Sequence, residues 1–293
     1  MKIGILGLGS IGMRHARNLK MMGHQVIGYD TDMKKRLALS GVLWDRDEVI
    51  ESDAILICTP TNRHYDDWAT MSARAKIFME KPLGTCAQIA QFWQEDLLKE
   101  LFLGYFLRFH PCIKAAKNWI DAGHIGTPLW ATFICGQYND KPDYLRDGVV
   151  LNWSHEIDLA LYLLGPAKVV AASVHVVDGK DDIADIVLEH DSGARSTIHL
   201  DYVTRNEIRE GWIVGTEKNI GLDMLGRQVS FGKMTQQFGG EWNDDYIDEM
   251  QAFIGGIAPT RTAAEPPVQW ATGEDGLRVL EICRQVKEKV GLG

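Results

Sequence analysis

Apolar and polar positions along the first third of the chain predict short strands that alternate with helices. Four apolar runs have the length and composition of buried strands: residues 3–6, 25–29, 53–59 and 76–79. Helical patterns cover 11–22 and 65–73, and Gly23 is placed to end the first of them. Strands joined by helices in this order are typical of a doubly wound parallel sheet, so we predict an α/β fold here.

The rest of the chain is predicted to contain longer strands. Runs rich in β-branched and aromatic residues lie at 129–138, 169–177, 183–190, 194–203 and 208–214. Helical patterns lie at 113–122, 154–164, 244–254 and 273–290, and the polar, glycine-containing segment 230–243 is predicted to be a loop. The change in pattern near Asn118 predicts domains over 1–118 and 119–293, with the last helix able to pack back on the first domain.

Composition limits the classes of function. With 293 residues, 45% of them hydrophobic and 24% charged, the chain is long enough for two folded domains. Its net charge of -9 disfavours nucleic acid or an anionic membrane as a partner. No apolar stretch approaches the roughly 20 residues of a membrane span, and the first residues lack the layout of a signal peptide, so we expect a cytoplasmic protein. The five cysteines are scattered without metal-binding spacing, which predicts reduced thiols and neither a disulfide framework nor a metal site.

A glycine-rich turn joins the first predicted strand to the first helix. Its residues are Gly7, Gly9, Ser10, Ile11 and Gly12, within the sequence GLGSIG. In this pattern the first glycine permits a tight turn, the second lets the backbone approach a pyrophosphate, and the third lets helix and strand pack closely. Asp30 ends the second strand, where a carboxylate accepts hydrogen bonds from the adenosine ribose and repels a 2'-phosphate. We therefore predict that the turn binds a dinucleotide and that NAD is preferred over NADP.

Two further strands end in polar turns. The residues concerned are Thr59, Thr61, Asn62 and His64 after the third strand, and Glu80 and Lys81 after the fourth. Ligands of a doubly wound sheet gather beyond the carboxyl ends of its strands, so both turns are expected beside the cofactor. For Thr61, Asn62 and His64, helix capping is an equally good alternative. For Lys81, the residues alone favour a surface lysine paired with Glu80.

Several motifs make the chain resemble the Gfo/Idh/MocA oxidoreductases. They are GLGSIG with Asp30, ICTPTNRH at 57–64, EKPLG at 80–84, YFLRFHP at 105–111, SHEID at 154–158 and EDG at 274–276. The resemblance covers nearly the whole chain. It implies an N-terminal Rossmann domain and a C-terminal α+β domain, built on an open, mostly antiparallel sheet that supplies a substrate wall and often a subunit interface. It also implies a homodimer or homotetramer.

The resemblance further implies hydride transfer between NAD(P) and a secondary alcohol of a sugar, cyclitol or nucleotide-linked sugar, with a nucleotide-activated or amino sugar ranked first. Lys81 is then predicted to hold the reacting oxygen and to stabilise alkoxide charge, while Glu80 orients Lys81 or contacts the cofactor. His155 is predicted to take the hydroxyl proton, because imidazole exchanges protons near neutral pH. Arg108 is a candidate for substrate contact, with an interdomain salt bridge as the alternative.

Asn152 departs from the family pattern, which commonly has an aspartate a few residues before the histidine. We expect Asn152 to orient a hydroxyl or the imidazole and to leave His155 less basic. Two other functions therefore stay open. The first is a dinucleotide-binding regulator without turnover, which Asn152 favours and which Lys81 and His155 disfavour. The second is an NAD-dependent glycosidase or eliminase, which would show net cleavage of its substrate without net formation of NADH.

Overall fold

The computed structural model describes residues 1–37, 46–71, 75–93, 96–139, 147–177, 179–256 and 269–292. The chain forms two compact units. Met1–Phe106 and Trp242–Leu277 make up the first unit, and Leu107–Glu241 and Arg278–Gly293 make up the second. Residue 118, near which the sequence pattern predicted a boundary, lies within the helix Pro111–Asp121 of the second unit. The chain also returns to the first unit before its last helix begins.

The strands in chain order are β1 (Lys2–Leu6), β2 (Gln25–Tyr29), β3 (Ala54–Ile57), β4 (Lys76–Glu80), β5 (Phe102–Gly104), β6 (Pro128–Gly136), β7 (Ala167–Val177), β8 (Lys180–His190), β9 (Arg195–Asp201), β10 (Ile208–Gly215), β11 (Asn219–Asp223), β12 (Gln228–Phe231), β13 (Met234–Gln237) and β14 (Ala271–Thr272). The helices are α1 (Ser10–Met21), α2 (Met33–Leu37), α3 (Arg46–Ile50), α4 (His64–Met71), α5 (Ile89–Phe92), α6 (Pro111–Asp121), α7 (Val149–Asn152), α8 (His155–Leu164), α9 (Trp242–Gly255) and α10 (Gly273–Lys289). None of the helices within the described ranges is long and apolar enough to cross a membrane.

The first unit contains a mostly parallel sheet. Its strand order among the described residues is β14-β5-β4-β3-β1-β2. Strands β1 to β5 pair in parallel, and β14 is antiparallel to β5. All side chains of β3 (AILI) are buried, as expected for a central strand of a parallel sheet covered on both faces. The parallel sheet of a Rossmann domain, predicted from the alternation of strands and helices, is therefore confirmed.

The second unit contains a mostly antiparallel sheet with the order β13-β12-β11-β10-β6-β9-β8-β7. Of the neighbouring strands, only β6 and β9 pair in parallel within the described ranges. Side chains alternate along β6, where Ala131 and Phe133 are buried and Trp130 is exposed. Helix α8 packs on β6 and β9, and α6 packs on β11 and β12. The predicted α+β domain with an open antiparallel sheet is confirmed.

The prediction of a loop over 230–243 was wrong for residues 230–237 and holds for 238–241. Strands β12 and β13 form a hairpin in which Phe231 pairs with Met234, and Gly232 in the two-residue turn has a positive φ of 59°. All four side chains of β13 are exposed, so this edge strand lacks the apolar alternation by which a half-buried strand is recognised.

Candidate active site

The glycine turn after β1 has the backbone that its sequence predicts. Gly7 has a φ of 86°, and its N–H donates to the carbonyl of Tyr29 (2.8 Å), which ties the turn to the end of β2. A side-chain carbon at Gly12 would collide with the carbonyl oxygen of Gly7, so only glycine permits this approach of helix to strand. A side-chain carbon at Gly9 would meet nothing within 4 Å, which leaves the backbone open to a ligand.

The start of α1 suits an anionic group. Gly9 is the N-cap, no side chain caps the helix, and its first turn contains no acidic residue. The first N–H groups of an α-helix have no partner within the helix, and the helix dipole favours negative charge beside them. The turn from Gly7 to Gly12, with Ser10 and Ile11 in the first turn of α1, therefore fits the pyrophosphate of NAD.

Asp30 lies directly after β2 and is hydrogen-bonded to the glycine turn. Its Oδ2 accepts from the N–H of Leu8 (2.8 Å), its Oδ1 accepts from the N–H of Asp32 (2.8 Å), and the Lys35 ammonium lies 3.6 Å from Oδ2. A carboxylate has lone pairs for further donors, such as ribose hydroxyls. These bonds hold the carboxylate in place beside the backbone that fits the pyrophosphate.

Two hydrogen bonds hold the turn after β3. The Thr59 hydroxyl donates to Asp67 Oδ2 (2.7 Å), and Gln88 Nε2 donates to the backbone carbonyl of Asn62 (3.1 Å). Thr61 begins a 3-10 turn, Thr61–Arg63, whose N-cap is Pro60 and which no side chain caps, so the predicted capping role is not observed for this turn.

His64 is fully buried at the start of α4. Its Nε2 lies 2.9 Å from the carbonyl oxygen of Thr59, and its Nδ1 lies 2.8 Å from the carbonyl oxygen of Pro82. Burial lowers the pKa of His64, against the smaller opposing effect of the two carbonyls. Both ring nitrogens are thus directed at backbone oxygens of the protein.

Glu80 and Lys81 lie at the carboxyl end of β4. Glu80 is buried, and its Oε1 accepts a hydrogen bond from His15 Nε2 (2.6 Å), whereas Lys81 is half-buried. His15 was not among the residues predicted from the sequence; its position three residues after Gly12, on the helix that begins at the glycine turn, is the signal that points to it. Together with the two preceding turns, these residues gather at the carboxyl ends of the parallel strands, as predicted.

The remaining candidates lie in the second unit, where Arg108, predicted as a candidate for substrate contact, forms a buried ion pair. Arg108 and Asp158 are 3% and 1% exposed, and the guanidinium donates twice to the carboxylate, from Nε (2.9 Å) and from a terminal nitrogen (2.5 Å). The guanidinium also lies over the ring of Tyr162, 4.5 Å from its centre. This buried, bidentate pair lies within the second unit, although it joins the two domains as the sequence pattern bounded them.

His155 is buried and is the first residue of α8. The residue after it, Glu156, is also buried and accepts from Arg209 Nε (2.7 Å), while Asp158 binds Arg108 one turn into the helix. One buried and one partly buried ion pair therefore hold the first turn of α8, and with it the backbone of His155.

Asn152, at the end of α7, binds within the second unit. Its Nδ2 donates to the hydroxyl of Tyr202 (2.7 Å), and that hydroxyl donates to the carbonyl of Gly148 (3.3 Å). The amide thus orients a hydroxyl, but it is the hydroxyl of a tyrosine of the same chain. Within the described ranges, no group of three or more His, Cys, Asp or Glu side chains is arranged to hold a metal ion.

Comparison with known proteins agrees with this arrangement. The sequence model of the GFO/IDH/MocA C-terminal domain matches residues 113–220, and that of the NAD-binding domain of D-isomer specific 2-hydroxyacid dehydrogenases matches residues 1–75. The chain is 30% identical to the myo-inositol 2-dehydrogenase of Thermotoga maritima, over 99% of this chain and 96% of the relative. It is also 30% identical to the scyllo-inositol 2-dehydrogenase (NAD(+)) of Bacillus subtilis, over 78% and 75% of the two chains.

The fold is shared with solved structures. That of UDP-N-acetylglucosamine 3-dehydrogenase from Acidithiobacillus ferrooxidans superposes with a TM-score of 0.82 at 23% identity, over 99% of this chain and 97% of the other. With its glycine turn at β1, its Glu80-Lys81-Pro82 turn at β4 and its open antiparallel sheet, and with relatives that match it over nearly its full length, the chain belongs to the Gfo/Idh/MocA family of NAD(P)-dependent oxidoreductases.

Proposed function

We propose that this protein is an NAD-dependent dehydrogenase that oxidises a secondary alcohol of a cyclitol, a sugar or a nucleotide-linked sugar to the ketone. The observation that supports this most directly is the position of Lys81 at the carboxyl end of β4, at the same edge of the parallel sheet as the glycine turn. Relatives named as inositol 2-dehydrogenases favour a polyhydroxylated ring as substrate, and a nucleotide-linked sugar is the second class to test.

In this proposal NAD, when bound, supplies the nicotinamide ring that accepts the hydride. The glycine turn and the first turn of α1 hold the pyrophosphate, and Asp30 accepts hydrogen bonds from the ribose hydroxyls. Lys81 holds the oxygen of the alcohol and stabilises the charge that develops on it as the proton leaves. His155 takes that proton, because an imidazole accepts and releases protons near neutral pH.

Asn152 modifies the proton transfer. A neutral amide that donates to Tyr202 cannot raise the basicity of an imidazole in the way a carboxylate does. We therefore expect Lys81 or a water molecule to share the proton transfer with His155. The pH at which kcat/KM is half-maximal should then reflect the titration of more than one group.

The preference for NAD over NADP is assigned to Asp30. Asp30→Asn keeps an acceptor for the N–H of Leu8 but removes the charge that repels a 2'-phosphate, so the ratio of kcat/KM with NADP to that with NAD should rise roughly tenfold or more. Asp32→Asn, which changes an exposed acid two residues away, is the matched control and should leave the ratio unchanged. An unchanged ratio in Asp30→Asn would remove Asp30 from cofactor selection.

A homodimer or homotetramer is proposed, formed through the open face of the second sheet. Trp130 on β6 and Trp212 on β10 lie on this face, 40% and 42% exposed, and burying such aromatic side chains against a second copy is favourable. The cytoplasm is the proposed location, which the five free cysteines support because reduced thiols are typical of a reducing compartment.

The test of the proposed function is NADH formation by the purified protein with inositols, free sugars and nucleotide-linked sugars, each with NAD and with NADP. Lys81→Ala should lower kcat by roughly 100-fold or more on the substrate that is found, and His155→Ala should do the same. NADH binding, measured by fluorescence, is the control that both variants remain folded. Full turnover in Lys81→Ala would refute the mechanism, and NADH binding without turnover on any substrate would favour a regulator or an enzyme that oxidises only transiently.

A further inference from the structure

Two buried histidines of the first unit bind the residues on either side of Lys81. His15, on α1, donates from Nε2 to the carboxylate of Glu80 (2.6 Å), and His64, at the start of α4, has its Nδ1 2.8 Å from the carbonyl oxygen of Pro82. We propose that His15 and His64 are positioning residues that together set the place of Lys81. The inference rests on the proposed function in that Lys81 is given its chemical role there.

His15 is held so that it can bind only in this direction. Its ring meets Phe78 and Tyr246 edge to face, with centres 5.3 Å and 6.0 Å apart, and the residue is fully buried. Glu80 lies close against Gly104 on the neighbouring strand, where an added side-chain carbon would be 3.3 Å from its carboxyl carbon. A buried carboxylate requires a donor, and His15 supplies it. The hydrogen bond therefore links the helix of the cofactor site to the residue before Lys81.

His64 joins two turns that the sheet no longer holds together. The pairing of β3 with β4 ends at Ile57 and Met79, and each strand is followed by its turn. The imidazole of His64 lies between them, with Nε2 near the carbonyl of Thr59 and Nδ1 near that of Pro82. A neutral imidazole carries one N–H; on Nδ1 it donates to the carbonyl of Pro82 and ties the residue after Lys81 to the start of α4.

A lysine needs such support more than most catalytic side chains. Its ammonium lies at the end of a flexible chain of four carbons, so the place of the charge depends on the backbone from which it starts. Misplacement of a reacting group by about 1 Å can lower a rate roughly 100-fold. Bonds to both neighbours of Lys81 restrict that backbone without contact to the ammonium itself.

Pairs of amide variants separate this role from general stability. The amide nitrogen of asparagine lies near the position of histidine Nδ1, and that of glutamine near Nε2. His15→Gln keeps the donor to Glu80 and His15→Asn removes it, whereas His64→Asn keeps the donor to Pro82 and His64→Gln removes it. The two variants that lose the bond should have a kcat lower by roughly 10- to 100-fold than their partners, with KM and NADH affinity unchanged.

His190 is the matched control. It is a buried histidine of the second unit with Nδ1 2.8 Å from the carbonyl of Gly165 and Nε2 2.9 Å from the hydroxyl of Ser196. His190→Asn and His190→Gln should both lower the melting temperature, but the two variants should have equal kcat values. If Asn and Gln at 15, and likewise at 64, gave equal kcat values, the positioning role would be overturned.

A second measurement needs no turnover. Lysines labelled by reductive methylation with ¹³C give separate NMR resonances, and the resonance of Lys81 is the one absent from Lys81→Arg. It should shift or broaden in His15→Asn and His64→Gln and stay in place in the partner variants and in both His190 variants. An unmoved Lys81 resonance refutes the inference whatever the activity, whereas a moved resonance in a protein without any dehydrogenase turnover supports the inference and refutes the proposed function.

Discussion

Replacement of Glu249 by glutamine tests the electrostatics around the end of β4. Glu249 lies on α9, is 0% exposed, and neither of its carboxyl oxygens has a hydrogen-bond partner within the described ranges. Burial raises the pKa of Glu249 well above its ordinary value of 4.5, and the nearby carboxylate of Glu80 raises it further. At pH values between the ordinary pKa of 4.5 and the raised pKa of the folded state, Glu249 keeps its proton in the folded chain and releases it in the unfolded chain.

The magnitude follows from proton linkage. Each pH unit between the unfolded and the folded pKa lowers the free energy of unfolding by about 1.4 kcal/mol for one proton. The loss begins as the pH rises past the unfolded value and stops once it passes the folded value. Glu249→Gln has no such proton, so its stability relative to the wild type should increase across this window. Below the window both side chains are neutral, and the difference there reports only the exchange of a carboxylic acid for an amide.

The assay is urea unfolding of both proteins, followed by tryptophan fluorescence, from about pH 4 to about pH 9. Glu217→Gln, which changes an exposed glutamate of the second unit, should give a curve parallel to that of the wild type. A difference between Glu249→Gln and the wild type that is constant with pH, or that shrinks as the pH rises, would refute the raised pKa.

Three other substitutions have defined outcomes. Gly12→Ala adds a methyl group that collides with the carbonyl oxygen of Gly7, so NADH affinity should fall roughly tenfold or more in a fluorescence titration; an unchanged affinity would contradict the tight turn. Asp158→Ala removes the carboxylate that accepts both hydrogen bonds from buried Arg108. The free energy of unfolding, measured with urea, should fall by about 3–5 kcal/mol, and a fall of under about 1 kcal/mol would refute the pair as a stabilising element. Trp212→Arg places a charge on the open face of the second sheet, and light scattering should detect smaller particles than for the wild type; an unchanged mass would exclude that face as the interface.

Features that depend on residues close together in the sequence could be predicted from the sequence. Strands β1 to β4 and helices α1 and α4 of the first unit follow from apolar periodicity, whereas the short helices α2, α3 and α5 were not predicted. The glycine turn follows from the need for a positive φ at Gly7 and for the close approach of helix to strand at Gly12, which only glycine permits. The long strands of the second sheet were predicted for the same reason. The edge strand β13 was not, because its exposed side chains contain no apolar alternation.

The hydrogen-bond partner of each polar side chain depends on the tertiary structure. Glu80 and His15 are 65 residues apart in sequence, and Arg108 and Asp158 are 50 apart, so no local pattern could pair them. Which residue types stand at the ends of the strands can be predicted from the sequence alone. Packing determined that Arg108 binds inside the second unit and that His64 is directed at backbone carbonyls, because a buried polar group must find its partner wherever the fold places one.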